Sequence, residues 1–222
     1  VIIRKFLKMD VSQLKQAVCE AIDASQVQIV DIGESIMDDP ELGFKEFNTS
    51  NRVKDEFQSL GLTPDQGMAI TGVKATLKGG KPGPTIAFMG ELDALQVPVH
   101  PRANSDTGAG HACGRNAQIA GMLGAAMGLS QAGIAKELAG NIVFYAVPAE
   151  EYVEINYRIG LVKQGATSFL TGKQELVKLG EFDPIDIAMM IHSTSPDVSP
   201  GSMGLAPSSN GFLAKNIRFV GK

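Results

Sequence analysis

The stretch Thr107-Gly108-Ala109-Gly110-His111-Ala112-Cys113-Gly114-Arg115-Asn116 sets a thiol and an imidazole in a glycine-hinged loop directly before an apolar run. Donors of that kind, presented from a turn, suit Zn²⁺ or another first-row divalent ion. Two more groups stand at comparable places. The acidic pair Glu150-Glu151 follows the apolar run 141–147 through Pro148-Ala149, and His192 follows the run 185–191. Cys113, Glu151 and His192 thus make a mixed sulfur, oxygen and nitrogen set. Glu91 and Asp93, after the run 85–89, add carboxylates that share one face if the chain stays extended. Asp93 is placed to orient a metal ligand by a hydrogen bond from behind.

Taken singly, each group has a plainer reading. A lone cysteine near a helix start is most often a packing residue, His111 caps a loop, Glu150-Glu151 is a solvated pair, His192 ends a strand, and Asp93 caps a turn. Their joint occurrence after apolar runs favours the functional reading. Gly108-Ala109-Gly110 does not open a dinucleotide fingerprint, because the next glycine is Gly114 and the spacing fails.

The elements that must position these groups follow from apolar periodicity. Leu14, Val18, Ala21, Ile22, Ile29, Ile32 and Ile36 recur at helical spacing and predict one long amphipathic helix over 11–39, closed by Pro40. A second helix is predicted from 48–50 to Gly61, with Thr49 or Ser50 as its cap. Residues 72–77 alternate as a strand, and 85–89 read as a strand buried on both faces. A helix over 116–132, a strand over 141–147, a helix over 168–179 and a strand over 185–191 complete the pattern. Alternating buried strands and helices predict an α/β sheet covered on both faces. Ligands bind such sheets beyond the carboxyl ends of their strands. Residues 193–210, dense in Ser, Pro and Gly, read as a connector, and 212–220 as a final strand.

With 222 residues, 44% of them hydrophobic, the chain can bury one substantial core and begin a second domain. A net charge of −4 without basic runs argues against nucleic acid, and no run of about 20 apolar residues predicts a membrane helix. The first eight residues are too short and too charged for a secretory segment. Only Cys19 and Cys113 occur, with no paired spacing, which suits a reducing, cytoplasmic setting. Cys19 lies on an apolar helical face and reads as inert core. Small molecules are the expected partners, with neither nucleic acid nor membrane.

In order and separation, Pro40-Glu41-Leu42-Gly43-Phe44, Gly90-Glu91-Leu92-Asp93-Ala94-Leu95, His111-Ala112-Cys113-Gly114, Pro148-Ala149-Glu150-Glu151 and the run into His192 resemble the metal-dependent amidohydrolases related to aminoacylase and bacterial carboxypeptidases. Hippurate, auxin-conjugate and aminobenzoyl-glutamate hydrolases belong to that group. The resemblance implies a three-layer α/β/α zinc-peptidase-like domain over 1–207. It also implies a hinge and the first strand of a smaller α+β lid domain over 208–222, of a kind that commonly forms homo-oligomers. It implies two divalent metal ions (Zn, Mn or Co), Cys113, Glu151 and His192 as metal ligands, Glu150 as general base with Asp93 beside it, and hydrolysis of amides in N-acyl amino acids or dipeptide-like substrates.

One departure bears on the metals. Where the family carries a second His ligand after Cys-Gly, this chain has Arg115, a permanent cation with no lone pair to donate. One metal position therefore loses its ligand. Arg115 also supports a different expectation, a catalytically lapsed binding or scaffold protein whose guanidinium grips a substrate carboxylate. A third expectation is a cysteine hydrolase using Cys113 with His111 or His192 as base.

Overall fold

A computed structural model describes residues 9–193, 204, 217 and 219–221. The expected connector, the hinge and the lid strand over 208–222 fall almost entirely outside these residues.

The first helical stretch is two helices, α1 (Val11–Ala24) and α2 (Gln26–Asp38), instead of one. Asp10 and Gln13 close a reciprocal capping box at the start of α1. The break falls at Ser25, whose single hydroxyl hydrogen is shared between the Ala21 carbonyl and Gln131 Oε1, each 3.0 Å away. Apolar spacing runs unbroken through Ser25, so periodicity alone does not reveal it. Cys19 is exposed on α1 and is not core.

Helix α3 (Phe47–Ser59) starts one residue earlier than expected, and neither Thr49 nor Ser50 caps it. The Glu41 carboxylate does so from outside the helix, accepting from the Asn48 and Thr49 N–H groups at 3.0 and 2.8 Å. An acid there meets the orphan donors and the positive end of the helix.

Beyond α3 come β1 (Pro64–Met68), β2 (Gly72–Lys78) and β3 (Lys81–Glu91), then a two-stranded ribbon of β4 (Leu95–Gln96) and β5 (Ala109–Gly110). Helix α4 (Arg115–Gln131) leads to β6 (Ala139–Val147), α5 (Ile155–Lys163), α6 (Gly172–Lys178) and β7 (Ile187–Met190). The sheet order is β1-β2-β6-β3-β7. β2 runs antiparallel to β6, while β3 runs parallel to both β6 and β7.

Alternation along β6 divides the core in two. Phe144 and Ala146 join Ile36, Phe57, Met122 and Leu123 from α2, α3 and α4 on one face. Val143, Tyr145 and Val147 join Phe44, Leu161 and Leu176 on the other. The domain is therefore three-layered α/β/α. β3 is covered on both faces as expected, with Phe88 in the first cluster and Ala87 and Met89 in the second. The strand expected over 185–191 is shorter and, among the described residues, lies at the sheet edge, where Ile187 and Met189 are about half exposed.

Candidate active site

Because β3, β6 and β7 are parallel, their carboxyl ends lie together, and each leads into a stretch bearing candidate groups. Glu91 is the last residue of β3, the Pro148–Glu151 turn follows β6, and His192 follows β7. Arg115 opens α4 beside them.

Asp93 is fully buried and acts on backbone. Its two carboxylate oxygens accept the N–H groups of Glu150 and Glu151, each at 3.0 Å, so one side chain fixes both acids. Burial pushes the Asp93 carboxyl up, against the opposing pull of Arg115 and those two N–H groups.

The Cys113 Sγ lies 3.6 Å from His192 Nε2. His192 Nδ1 is 2.6 Å from the Ser193 carbonyl, which can only accept. That contact fixes the proton on Nδ1 and leaves the Nε2 lone pair facing the thiol. The Ser193 hydroxyl donates to the Cys113 carbonyl at 3.0 Å and seals the end of β7 onto the loop. Gly114 is required in this packing: its φ is +75°, and a Cβ there would lie 2.5 Å from Ser193 Oγ.

Arg115 stands among the acids. Its Nε is 2.8 Å from Glu91 Oε2, and its Nη2 is 2.8 Å from Glu151 Oε1 and bonded to Glu150 Oε2. The fork expected to grip a substrate carboxylate is thus engaged by the chain's own carboxylates. Burial lowers the Arg115 pKa, but Asp93, Glu91 and Glu151 outweigh it and hold the guanidinium more basic than usual. Burial likewise raises the Glu91 carboxyl, yet Lys173 and Arg115 outweigh it and keep it below the usual range. Glu150 goes the other way, raised by burial and by the charge of Glu91. The Cys113 thiol is pushed up by burial, partly offset by Arg115.

His111 neither caps the loop nor meets Cys113. It is 3% exposed, and both ring nitrogens lack a hydrogen-bond partner among the described residues. Burial first, then Arg115 and His100, lower its pKa to about 4.

The donor chemistry of Cys113 and His192 fits one divalent cation, with Glu151 as the acid nearby. A second cation would compete with Arg115 for the acids. The Arg115 guanidinium already bonds Glu91, Glu150 and Glu151, and among the described residues no three His, Cys, Asp or Glu side chains are gathered as a metal-holding group, so even a single cation needs Glu151 to leave Arg115 and join Cys113 and His192. Sequence reasoning missed Lys173, which bonds Glu91, and the buried Glu46 and Arg158 beneath the 148–151 turn. Charged residues in polar stretches read as surface, and no signal in the sequence distinguishes these.

No family model matches the chain. Thermostable carboxypeptidase 1 of Saccharolobus solfataricus is 31% identical over 194 residues, covering 83% of this chain and 43% of that protein. The N-acetyl-L-cysteine deacetylase of Bacillus subtilis is 30% identical, over 80% of this chain and 39% of that one. A Bacillus subtilis dinuclear metal-binding peptidase of the M20 family superposes with a TM-score of 0.62 at 26% identity, over 79% of this chain and 45% of the other. This chain is a relative of the amidohydrolases and carboxypeptidases of the M20 type.

The expected kinship and α/β fold are thereby met. The chain spans less than half the length of these M20-type relatives. Among the described residues, no helix is long and apolar enough to cross a membrane.

Proposed function

We propose that this chain carries the catalytic edge of a metal-dependent hydrolase that cleaves amide bonds in N-acyl amino acids or dipeptide-like substrates. The observation that carries the reading is the Cys113–His192 pair, 3.6 Å apart, at the same sheet edge as the Asp93-held Glu150-Glu151. Cys113, His192 and Glu151 would hold one cation, once Glu151 leaves Arg115. What the bound cation supplies is polarisation of the amide carbonyl and a more acidic water.

The chain's own residues do the rest. Asp93 keeps the backbone of both acids fixed, while both side chains engage Arg115, so Glu151 reaches the ligand pair and Glu150 exchanges a proton only once released from that guanidinium. Glu150, its carboxyl raised by burial, accepts the water proton and passes it to the leaving nitrogen. Residues 1–207 are the catalytic-type domain in this reading, and 208–222 lead into a smaller domain through which copies associate. A cytoplasmic setting accords with the two unpaired cysteines.

A second reading is a lapsed binding homologue, favoured by Arg115 occupying the acids. Metal analysis after controlled reloading, with hydrolysis of N-acetyl amino acids measured before and after chelation, tests both. Metal bound at one per chain with chelator-sensitive hydrolysis supports the hydrolase, and no bound metal with no turnover supports the binder. Chelator-insensitive turnover abolished by thiol alkylation overturns both and leaves Cys113 as nucleophile.

A further inference from the structure

The 148–151 turn is held from below as well as from Asp93. Ala149 sits at φ +47°, a left-handed conformation that crowds the Cβ of a non-glycine residue against its own backbone. Such a residue persists only where its surroundings over-determine it. Three contacts do so. The buried Glu46 carboxyl, its pKa pushed up to about 8 by burial and by the neighbouring Asp93, accepts the Ala149 N–H at 2.7 Å, and its other oxygen lies 2.6 Å from the Thr71 hydroxyl. The Ala149 carbonyl accepts the Gly172 N–H at 3.0 Å. Arg158, with no exposed surface, approaches the same carbonyl at 3.5 Å and anchors on the Leu170 carbonyl at 2.9 Å. Gly43 makes room for this group, since a Cβ there would lie 2.3 Å from Arg158 Nη2 and 2.9 Å from Ala149 Cα.

Two buried carboxyl groups from different segments therefore receive three successive backbone N–H groups, Ala149 on Glu46 and Glu150 and Glu151 on Asp93. We propose that Glu46, backed by Arg158, is a positioning residue that aims Glu150 and Glu151 by locking Ala149 in its left-handed conformation. The inference rests on reading Glu150-Glu151 as the working edge. It is tested by a quantity that does not depend on turnover.

Site-resolved amide hydrogen exchange on the full 222-residue chain compares Glu46→Ala, Glu46→Gln and the unaltered protein. Glu46→Ala should accelerate exchange at Ala149, Glu150 and Glu151 together by at least about tenfold, while Ala87 and Val143 in the sheet centre change little. Glu46→Gln, which keeps an acceptor for the Ala149 N–H, should restore most of the protection. Acceleration at Ala149 alone, equal acceleration throughout the sheet, or no rescue by Gln would each overturn the proposal. If Glu46→Ala does not fold, Thr71→Val removes one donor from Glu46 and keeps the side chain's shape. It should accelerate the same three amides less strongly, and unchanged rates there would also overturn it. Loss of the proposed hydrolase activity would leave these rates readable, so the two readings fail separately.

Discussion

Arg115 and Glu91 form a buried ion pair, each side chain 2% exposed, with Nε 2.8 Å from Oε2. Neither charge has water to turn to, so each depends on the other and on Lys173 and the acids around them. Removing one member of such a pair costs roughly 3–5 kcal/mol, because the remaining charge stays buried.

Arg115→His tests this pair against metal. The change withdraws a cation, frees Glu150 and Glu151, and places a neutral donor near Cys113. Without metal, the variant's thermal midpoint should fall. Adding Zn²⁺ should raise that midpoint more than in the unaltered chain, with more metal retained per chain after dialysis. Equal retention in both proteins would remove Arg115 as the obstacle.

Asp93→Asn replaces two acceptors by one acceptor and one donor, so either the Glu150 or the Glu151 N–H must face an amide N–H. Leaving one buried donor unpaired costs about 1–3 kcal/mol, and the acids lose their common support. The expected result is a lower thermal midpoint together with weaker Zn²⁺ binding. Unchanged metal affinity would limit Asp93 to a folding role.

The strands that carry this site were the most legible part of the chain. β2, β3, β6 and α4 announce themselves as apolar runs because their side chains face a core. β1 does not: Pro64-Asp65-Gln66-Gly67-Met68 is a mostly exposed edge strand, and its backbone pairing to β2 leaves no apolar pattern. α5 escaped because its one fully buried side chain is Arg158. At the site, residue types and spacing pointed to Cys113, Glu151, His192, Glu150 and Asp93 as candidates, and the structure sets them at one sheet edge. What the sequence does not carry is which acids Arg115 bonds and that Glu46 lies beneath Ala149, since both depend on contacts between residues far apart in the chain.

His111 predicts an acid-sensitive stability. Its pKa falls from 6.5 to about 4 in the folded chain, so between those values the unfolded chain binds the extra proton. The contribution is complete above pH 6.5 and is lost as pH falls toward 4, amounting to about 3 kcal/mol at most. The unfolding free energy of the unaltered chain should fall relative to that of His111→Leu over that window as pH drops. A constant difference would show that His111 does not titrate there.

Cys113 predicts a protection experiment. In a Cys19→Ser background, which removes the exposed thiol of α1, alkylation reports Cys113 alone. Zn²⁺ should slow its modification strongly, and His192→Ala should abolish the slowing. Protection that survives loss of His192 would separate the thiol from the imidazole as joint ligands.

The placement of β6 governs the order in which the sheet can be completed. β2 and β3 both emerge before β6 during synthesis, joined through Gly79-Gly80, a dipeptide well suited to a hairpin. Yet they are not partners in the sheet, because β6 lies between them, and Gly79, Gly80 and Lys81 instead bond the backbone of residues 135–140. At about 5–20 residues per second, the ribosome takes seconds to pass from Glu91 to Val147. Through that interval the nascent chain holds two adjacent strands that must stay apart, so a premature hairpin is a competitor that productive folding has to outlast.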